Sequence, residues 1–350
     1  MKYQNFVGKI GFGSKGYSLL LNNKKMNAVF LSGINADYSV IYNKLRKIFD
    51  REVSWIKIKN RNNLNEIEKI SKKLVNEKVN LIVVSGGGSV IDFSKNIVHS
   101  MKSILKKKVF FYVIPSRVGS GAEASISSIL NLKNKKQITV NEGFLPDGIV
   151  YDLKFIQKLS KTDLISGSVD ALTHCLESLS SINKNEYLDF FSINSIDHFV
   201  KKVNVSKLIK NRIVDEKILK EFCILSFNGG TAQNNAGSGL CHALAHSAEK
   251  IAGLPHTTCV SYFILPVIAY SLKTDKKYLS DLSKKLKKHI SKKIKFLKNR
   301  LNFKKIELIT HDNNKLELLI NHAKKDPCWK IFNKNVRVDI LKNSIKNFKI

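Results

Sequence analysis

The 350-residue chain carries 60 Lys and Arg against 28 Asp and Glu, a formal net charge of +32, with 43% hydrophobic residues. That length suits two domains or one large one. The basic excess is overwhelmingly lysine, spread along the chain beside many asparagines, while arginine, which reads phosphates bidentately, is scarce. A nucleic-acid partner is therefore not expected, although the charge suits an anionic small molecule. Cys175, Cys223, Cys241, Cys259 and Cys328 form no CxxC pair, which argues for a reducing, cytoplasmic setting. The N-terminus lacks the apolar core of a signal peptide. The longest apolar run, Val260–Leu272, contains Pro266 and is too short to span a bilayer, so no membrane partner is expected.

In chain order, short apolar runs predict strands at Ala28–Ser32, Val53–Ile58, Leu81–Ser85, Val109–Ile114, Gln137–Val140 and Gly148–Asp152. Amphipathic stretches between them predict helices at Ser39–Asp50, Leu64–Glu77 and Val90–His99. This alternation marks an α/β, doubly wound and mostly parallel sheet. After Asp152 the strand pattern stops and apolar residues recur at 3–4 spacing, so residues 1–152 read as an α/β domain and 153–350 as an all-α domain. Within Lys273–Lys305, the residues Leu279, Leu282, Leu286, Ile290, Ile294 and Leu297 share one stripe, expected to pack inward.

Two segments carry candidate chemistry at strand ends. The strand Leu81–Ser85 runs into Gly86-Gly-Gly-Ser-Val-Ile-Asp92 and then a helix, an arrangement in which glycines and free helix N–H groups can cradle a pyrophosphate. It is not the GxGxxG fingerprint, and a glycine run after a strand is as often only a tight turn. A second Ser/Gly-rich loop, Pro115-Ser-Arg-Val-Gly-Ser-Gly-Ala-Glu-Ala-Ser125, follows another strand. Two such loops in one open sheet define a crevice that suits a dinucleotide.

Asp170 and His174, four apart, project from one helix face, as do His242 and His246, with His256 ten residues further on. One carboxylate with several imidazoles suits Fe(II) or Zn(II). His242–His246 lacks the Glu of HExxH, which disfavours a zincin protease. Gly253 and Pro255 must end the helix before His256, letting the chain turn back towards the site. The remaining histidines, His99, His198, His289, His311 and His322, read as surface or structural.

These motifs in this order, from Gly86 to Tyr270, together resemble the iron-containing (group III metal-dependent) alcohol dehydrogenase family. The resemblance implies an N-terminal dinucleotide domain, a helical C-terminal domain, and the fold shared with dehydroquinate synthase. It implies metal ligands at Asp170, His174, His242 and His256, and a proton-path role for His246 as the catalytic side chain. It places the cofactor pyrophosphate on Gly87, Gly88 and Ser89 within the motif ending at Asp92, with Ser116, Ser120 and Ser125 reaching the cofactor and Lys136 nearby. The activity implied is hydride transfer between a primary alcohol or aldehyde and NAD or NADP, assisted by Fe2+ or Zn2+. A homo-oligomer, a dimer, is expected.

His174-Cys-Leu-Glu-Ser178 and Asp326-Pro-Cys-Trp329 are similar to the branch with 3-deoxy-manno-octulosonate 8-oxidase, which implies an acidic sugar as substrate; a phosphonoacetaldehyde reductase-like activity is a related alternative. Three positions depart from the family pattern. Arg117 stands in the cofactor loop, Thr257 follows His256, and Ser32-Gly33 occupy the strand end where an acidic residue would engage the ribose. Without that acid a 2′-phosphate is not excluded. Two rival readings are a cyclitol synthase of the dehydroquinate type and a basic nucleic-acid-binding protein. The first generally uses Glu at the Asp170 position, and the second predicts clustered Arg and exposed aromatics.

Overall fold

The computed structural model describes residues 6–59, 61, 63–132, 135–274, 282–332 and 335–348. The chain divides into two compact units, Met1–Leu159 and Ser160–Ile350.

The first unit contains strands β1 (Ile10–Phe12), β2 (Ala28–Ser32), β3 (Ser54–Lys57), β4 (Leu81–Gly86), β5 (Phe110–Pro115), β6 (Ser127–Leu132), β7 (Lys135–Val140) and β8 (Gly148–Tyr151). Its helices are α1 (Ser39–Ile48), α2 (Leu64–Asn76), α3 (Gly88–Leu105) and the short α4 (Leu153–Ile156). Six strands form one sheet in the order β1-β8-β5-β4-β2-β3, every pair parallel, while β6 and β7 form a separate antiparallel hairpin.

Every residue of β2 and β4 is buried, because a parallel sheet covered on both sides offers no solvent face. Side chains alternate across it. Val29, Leu31, Ile82, Val84, Phe111 and Val113 pack with α2 and α3 residues such as Ile67, Leu74, Phe93 and Ile97. Phe30, Leu81, Val83, Tyr112 and Ile114 pack on the opposite face with Leu20, Ile41, Leu45 and Phe155. The sheet is thus doubly wound.

Three elements differ from the sequence expectation. Strand β1 is three half-buried residues including Gly11, too short for a periodic signal. Strand β6 is half serine and asparagine, and its hairpin stands apart from the main sheet. Helix α3 begins at Gly88 rather than Val90, capped by the extended Gly87, and continues past His99 to a left-handed Lys106.

The second unit is helical: α5 (Lys161–Ser178), α6 (Glu186–Lys202), α7 (Val205–Lys210), α8 (Glu216–Ala236), α9 (Leu240–Ala252), α10 (His256–Thr274), α11 (Leu282–Lys298), α12 (Phe303–Thr310), α13 (Asn313–Ala323), α14 (Pro327–Ile331) and α15 (Val338–Lys346). Helix α5 starts on a Ser160 cap whose hydroxyl accepts from the Asp163 amide, and from Leu164 to Ser178 every residue is buried. A helix buried on all faces belongs at the centre of a bundle. Gly229 of α8 lets that helix cross α5 closely, since a Cβ there would lie 2.7 Å from the Ala171 carbonyl oxygen.

In α11 the expected stripe is buried at Leu286, Ile290, Ile294 and Leu297; Leu279 and the side chain of Leu282 lie outside the described residues. Lys293 is fully buried as well, its ammonium over the Phe199 ring and hydrogen-bonded to the Ser168 hydroxyl. No helix among the described residues is long and apolar enough to cross a membrane.

Candidate functional site

In the second unit, Asp170 and His174 lie one turn apart on α5, His242 and His246 one turn apart on α9, and His256 opens α10. The left-handed Gly253 (φ 63°) ends α9, so the chain reverses before His256. All three helices direct these side chains to one point. From Asp170 Oδ1 the distances are 3.3 Å to His242 Nε2, 3.7 Å to His256 Nε2 and 3.8 Å to His174 Nε2. Donors about 2.1 Å from a tetrahedral ion stand roughly 3.4 Å from one another. Asp170, His242 and His256 approach that spacing, their ligand atoms all within 4.8 Å of one another, while His174 nears the group through Asp170 and stands outside that triad. The His174 and His242 rings stack at 4.5 Å.

Three carboxylates that the sequence reading did not select as site residues hold the imidazoles in place. Glu177 Oε2 lies 2.5 Å from His242 Nδ1, and the Glu177 carboxylate also accepts from the amides of Gly239, Cys241 and His242 at the start of α9. Glu249 pairs with His256 Nδ1, and Asp326 Oδ2 lies 3.0 Å from His246 Nδ1. A carboxylate on Nδ1 fixes the tautomer and leaves the Nε2 lone pair for a metal. Spacing offers a partial signal for two of them: Glu177 stands seven residues after Asp170, and Glu249 seven after His242, both on the ligand face of their helices. His174 Nδ1 has no such partner among the described residues.

Electrostatics agree with a cation site. Burial pushes His174 down to about 4, so it stays neutral. Burial also works against charging His242 and His256. The carboxylates of Glu177 and Asp170 nevertheless raise His242 to about 10, and those of Asp170 and Glu249 raise His256 to about 9. Burial opposes ionisation of Asp170, yet the imidazoles of His174, His242 and His256 hold it well below the usual carboxylate range. Three carboxylates here thus meet two imidazolium charges. A divalent cation bound by neutral imidazoles supplies the same two positive charges, so the donor set fits the group.

His246 sits beside this set, its ring 5.4 Å from that of His256 and its side chain 16% exposed. Cys175 and Cys241, adjoining the ligand candidates, are buried and free.

In the first unit, the C-terminal ends of β4 and β5 carry the two expected loops. Gly87 caps α3, and Gly88 and Ser89 are its first residues, so their amides are the open N–H groups of an 18-residue helix. Packing requires the first of these glycines and crowds the third: a Cβ on Gly86 would lie 2.4 Å from Val90 Cβ, and one on Gly88 would lie 3.1 Å from Ser120 Oγ. The second loop therefore packs directly on the first. Arg117 lines it, 3.5 Å from where a Gly87 Cβ would stand. A backbone cradle that side chains would fill fits a pyrophosphate.

The other expected cofactor residues divide by their partners. Ser120 faces Gly88, and buried Ser116 accepts from Tyr38 Oη at 3.3 Å. Ser125 accepts from the Ser127 amide, and buried Asp92 receives Lys95 Nζ and the Ile129 amide, so both brace the β6–β7 hairpin from within. Lys136 belongs to β7, but its side chain lies outside the described residues.

Comparison with known proteins agrees with both halves. Residues 18–153 match the model of the iron-containing alcohol dehydrogenase, and residues 164–326 match that of the C-terminal part of the Fe-containing alcohol dehydrogenase family. The 4-hydroxybutyrate dehydrogenase of Clostridium kluyveri is 30% identical over 203 residues, 54% of each chain. The chain thus spans about half the length of the curated relatives it matches. Among solved structures, the iron-containing alcohol dehydrogenase of Thermococcus thioreducens superposes with TM-score 0.81 at 19% identity over 98% of both chains. The sulfoacetaldehyde reductase of Bifidobacterium kashiwanohense, in complex with NAD+, does so with TM-score 0.82 at 16% identity over 99% of this chain and 98% of that one. By the two family matches, which between them cover most of its length, the chain belongs to the iron-containing alcohol dehydrogenase family.

Proposed function

We propose that the protein is a metal-dependent oxidoreductase that moves a hydride between a primary alcohol or aldehyde and a nicotinamide cofactor. The observation that carries this reading is the convergence of Asp170 Oδ1 with three imidazole Nε2 atoms, two of them braced by buried or half-buried carboxylates. When bound, the divalent ion supplies a Lewis acid and the nicotinamide a two-electron carrier.

Asp170, His174, His242 and His256 would hold the ion, and Glu177 and Glu249 keep His242 and His256 oriented through Nδ1. Three neutral imidazoles and one carboxylate leave a divalent ion most of its positive charge. His246, beside His256 and paired with Asp326, carries the alcohol's proton to and from solvent, a task suited to an imidazole near neutral pH. Gly87, Gly88 and Ser89 receive the cofactor pyrophosphate through backbone amides, with Ser116 and Ser120 alongside.

An anionic substrate fits a chain of +32 charge, and the 4-hydroxybutyrate and sulfoacetaldehyde named for two relatives are both anionic. A homodimer in a reducing, cytoplasmic compartment completes the reading; gel filtration tests the first part.

Protein reconstituted with Fe(II) or Zn(II) should oxidise hydroxy acids or reduce acidic aldehydes with NAD(H) or NADP(H), followed by nicotinamide absorbance. Chelation, or His256→Ala, should remove both the metal and the turnover. Full metal content and rate in His256→Ala would overturn the ligand assignment, and chelator-insensitive turnover would overturn the metal's role. Dehydroquinate-type cyclisation without net cofactor reduction is the rival outcome.

A further inference from the structure

We propose that the first unit selects NADP over NAD, and that Arg61 is the residue that pairs with the 2′-phosphate. This rests on the dinucleotide reading of the glycine cradle above.

Three strand ends lie side by side at the edge where the cradle stands: Ser32 of β2 is paired with Lys57 of β3 on one side and Ser85 of β4 on the other. In open α/β sheets the adenosine ribose of a dinucleotide lies at the carboxyl end of the strand beside the one that carries the pyrophosphate loop, which here is β2 beside β4. There a carboxylate accepts the 2′-hydroxyl, or a nearby arginine receives a 2′-phosphate. Here that end is Ser32-Gly33. The Ser32 hydroxyl accepts from Trp55 Nε1 at 2.8 Å and donates to the Gly33 carbonyl, so it too is committed. Asp37, four residues beyond Gly33, accepts from the Ser39 amide at the start of α1 and is exposed. Ser32 and Gly33 themselves therefore present no carboxylate to a ribose, and the exposed Asp37 further on is bonded to the start of α1 and faces the charge of Lys57.

The strand end presents cations instead. Arg61, in the loop after β3, reaches across to α3 and donates from Nη1 to Ser89 Oγ at 2.8 Å, which sets its guanidinium beside the cradle. Among the described residues no carboxylate lies within ion-pair distance of it. Lys57 and Lys59 lie on the same strand and loop. Only seven arginines occur in the chain, and two of them, Arg61 and Arg117, flank Gly87–Ser89. A guanidinium held over a helix N-terminus without a carboxylate partner is suited to a phosphate dianion, which it meets with two parallel N–H bonds. NAD, with a neutral 2′-hydroxyl, offers it no phosphate beyond the pyrophosphate that both nucleotides share.

The test is binding rather than turnover. Calorimetric titration of the purified protein should show NADP+ at least roughly tenfold tighter than NAD+, and 2′,5′-ADP tighter than 5′-ADP. Arg61→Ala should lower NADP+ affinity by about tenfold or more while changing NAD+ affinity by less than about threefold, and Arg61→Lys should recover part of the loss. Equal affinities, or tighter NAD+, would overturn the inference and leave the dinucleotide reading standing. Equal weakening of both nucleotides in Arg61→Ala would also overturn it, by assigning Arg61 to the shared pyrophosphate. Binding of neither nucleotide would sink the dinucleotide reading itself and this inference with it.

Discussion

The cofactor cradle of the first unit and the ligand cluster of the second are built from opposite materials. The cradle is backbone: Gly87, Gly88 and Ser89 offer amides, and the important fact about Gly86 and Gly88 is the Cβ they lack. The cluster is side chain: Asp170 and three imidazoles, two of them steered by Glu177 and Glu249. A backbone site is fixed by packing and fails when something is added. A side-chain site is fixed by second contacts and fails when something is taken away. Each should therefore break without disturbing the other.

The largest effect is expected at Glu177. Glu177→Gln keeps the shape but removes the charge that orients His242, so metal affinity should fall about 10- to 100-fold with cofactor binding unchanged. Competition with a metal indicator checks it, and unaltered affinity would mean that α9 alone positions His242. Gly88→Val is the converse experiment. Its side chain would press on Ser120 at 3.1 Å, and nucleotide affinity should fall about tenfold while metal content stays at the wild-type level.

Acid should separate the units too. Burial, aided by the charges of Lys293 and Lys292, pushes His289 in the second unit down to about 3. With its folded pKa depressed, the unfolded chain takes up the proton first. The stability His289 contributes is thus complete above about pH 6.5 and falls as pH drops through that value, by at most about 2 kcal/mol between pH 7 and 5. In the first unit, burial opposes ionisation of Asp152, but bonds from Lys44, Tyr17 and the Phe155 amide leave it below the usual range. Its contribution is present above about pH 3.9 and fails only in stronger acid. Denaturation followed at pH 7 and 5 should show His289→Phe losing less than wild type, and equal losses would refute the assignment. The smallest effect is at Lys293, whose burial depresses its ammonium well below the ordinary value with no carboxylate among the described residues in compensation. Lys293→Met should raise Tm by about 2–4 °C, a gain of about 1 kcal/mol, and by more at pH 6 than at pH 9.

The covered strands are legible in the sequence because burial on both faces leaves an unbroken apolar run: Ala28–Ser32 coincides with β2 to the residue. The sequence hides β6, whose Ser127, Ser128 and Asn131 pair in a hairpin outside that sheet. At the site, helical spacing picks out the pairs Asp170/His174 and His242/His246, since four residues make about one turn, while His256 joins them through the break at Gly253 and Pro255 and the family resemblance. Glu177 and Asp326 were harder to find, because what distinguishes them is a contact 65 or 80 residues away along the chain. Arg61 was invisible for the same reason: only the fold brings it to Ser89.

Glu177 also ties two events together. The carboxylate that steers His242 accepts three amide protons at the first turn of α9, so it nucleates the helix that carries its own ligand. Loading the ion and closing that turn are then one equilibrium seen from two ends. Slowed amide hydrogen exchange at Cys241 and His242 should report metal occupancy even where no substrate is known.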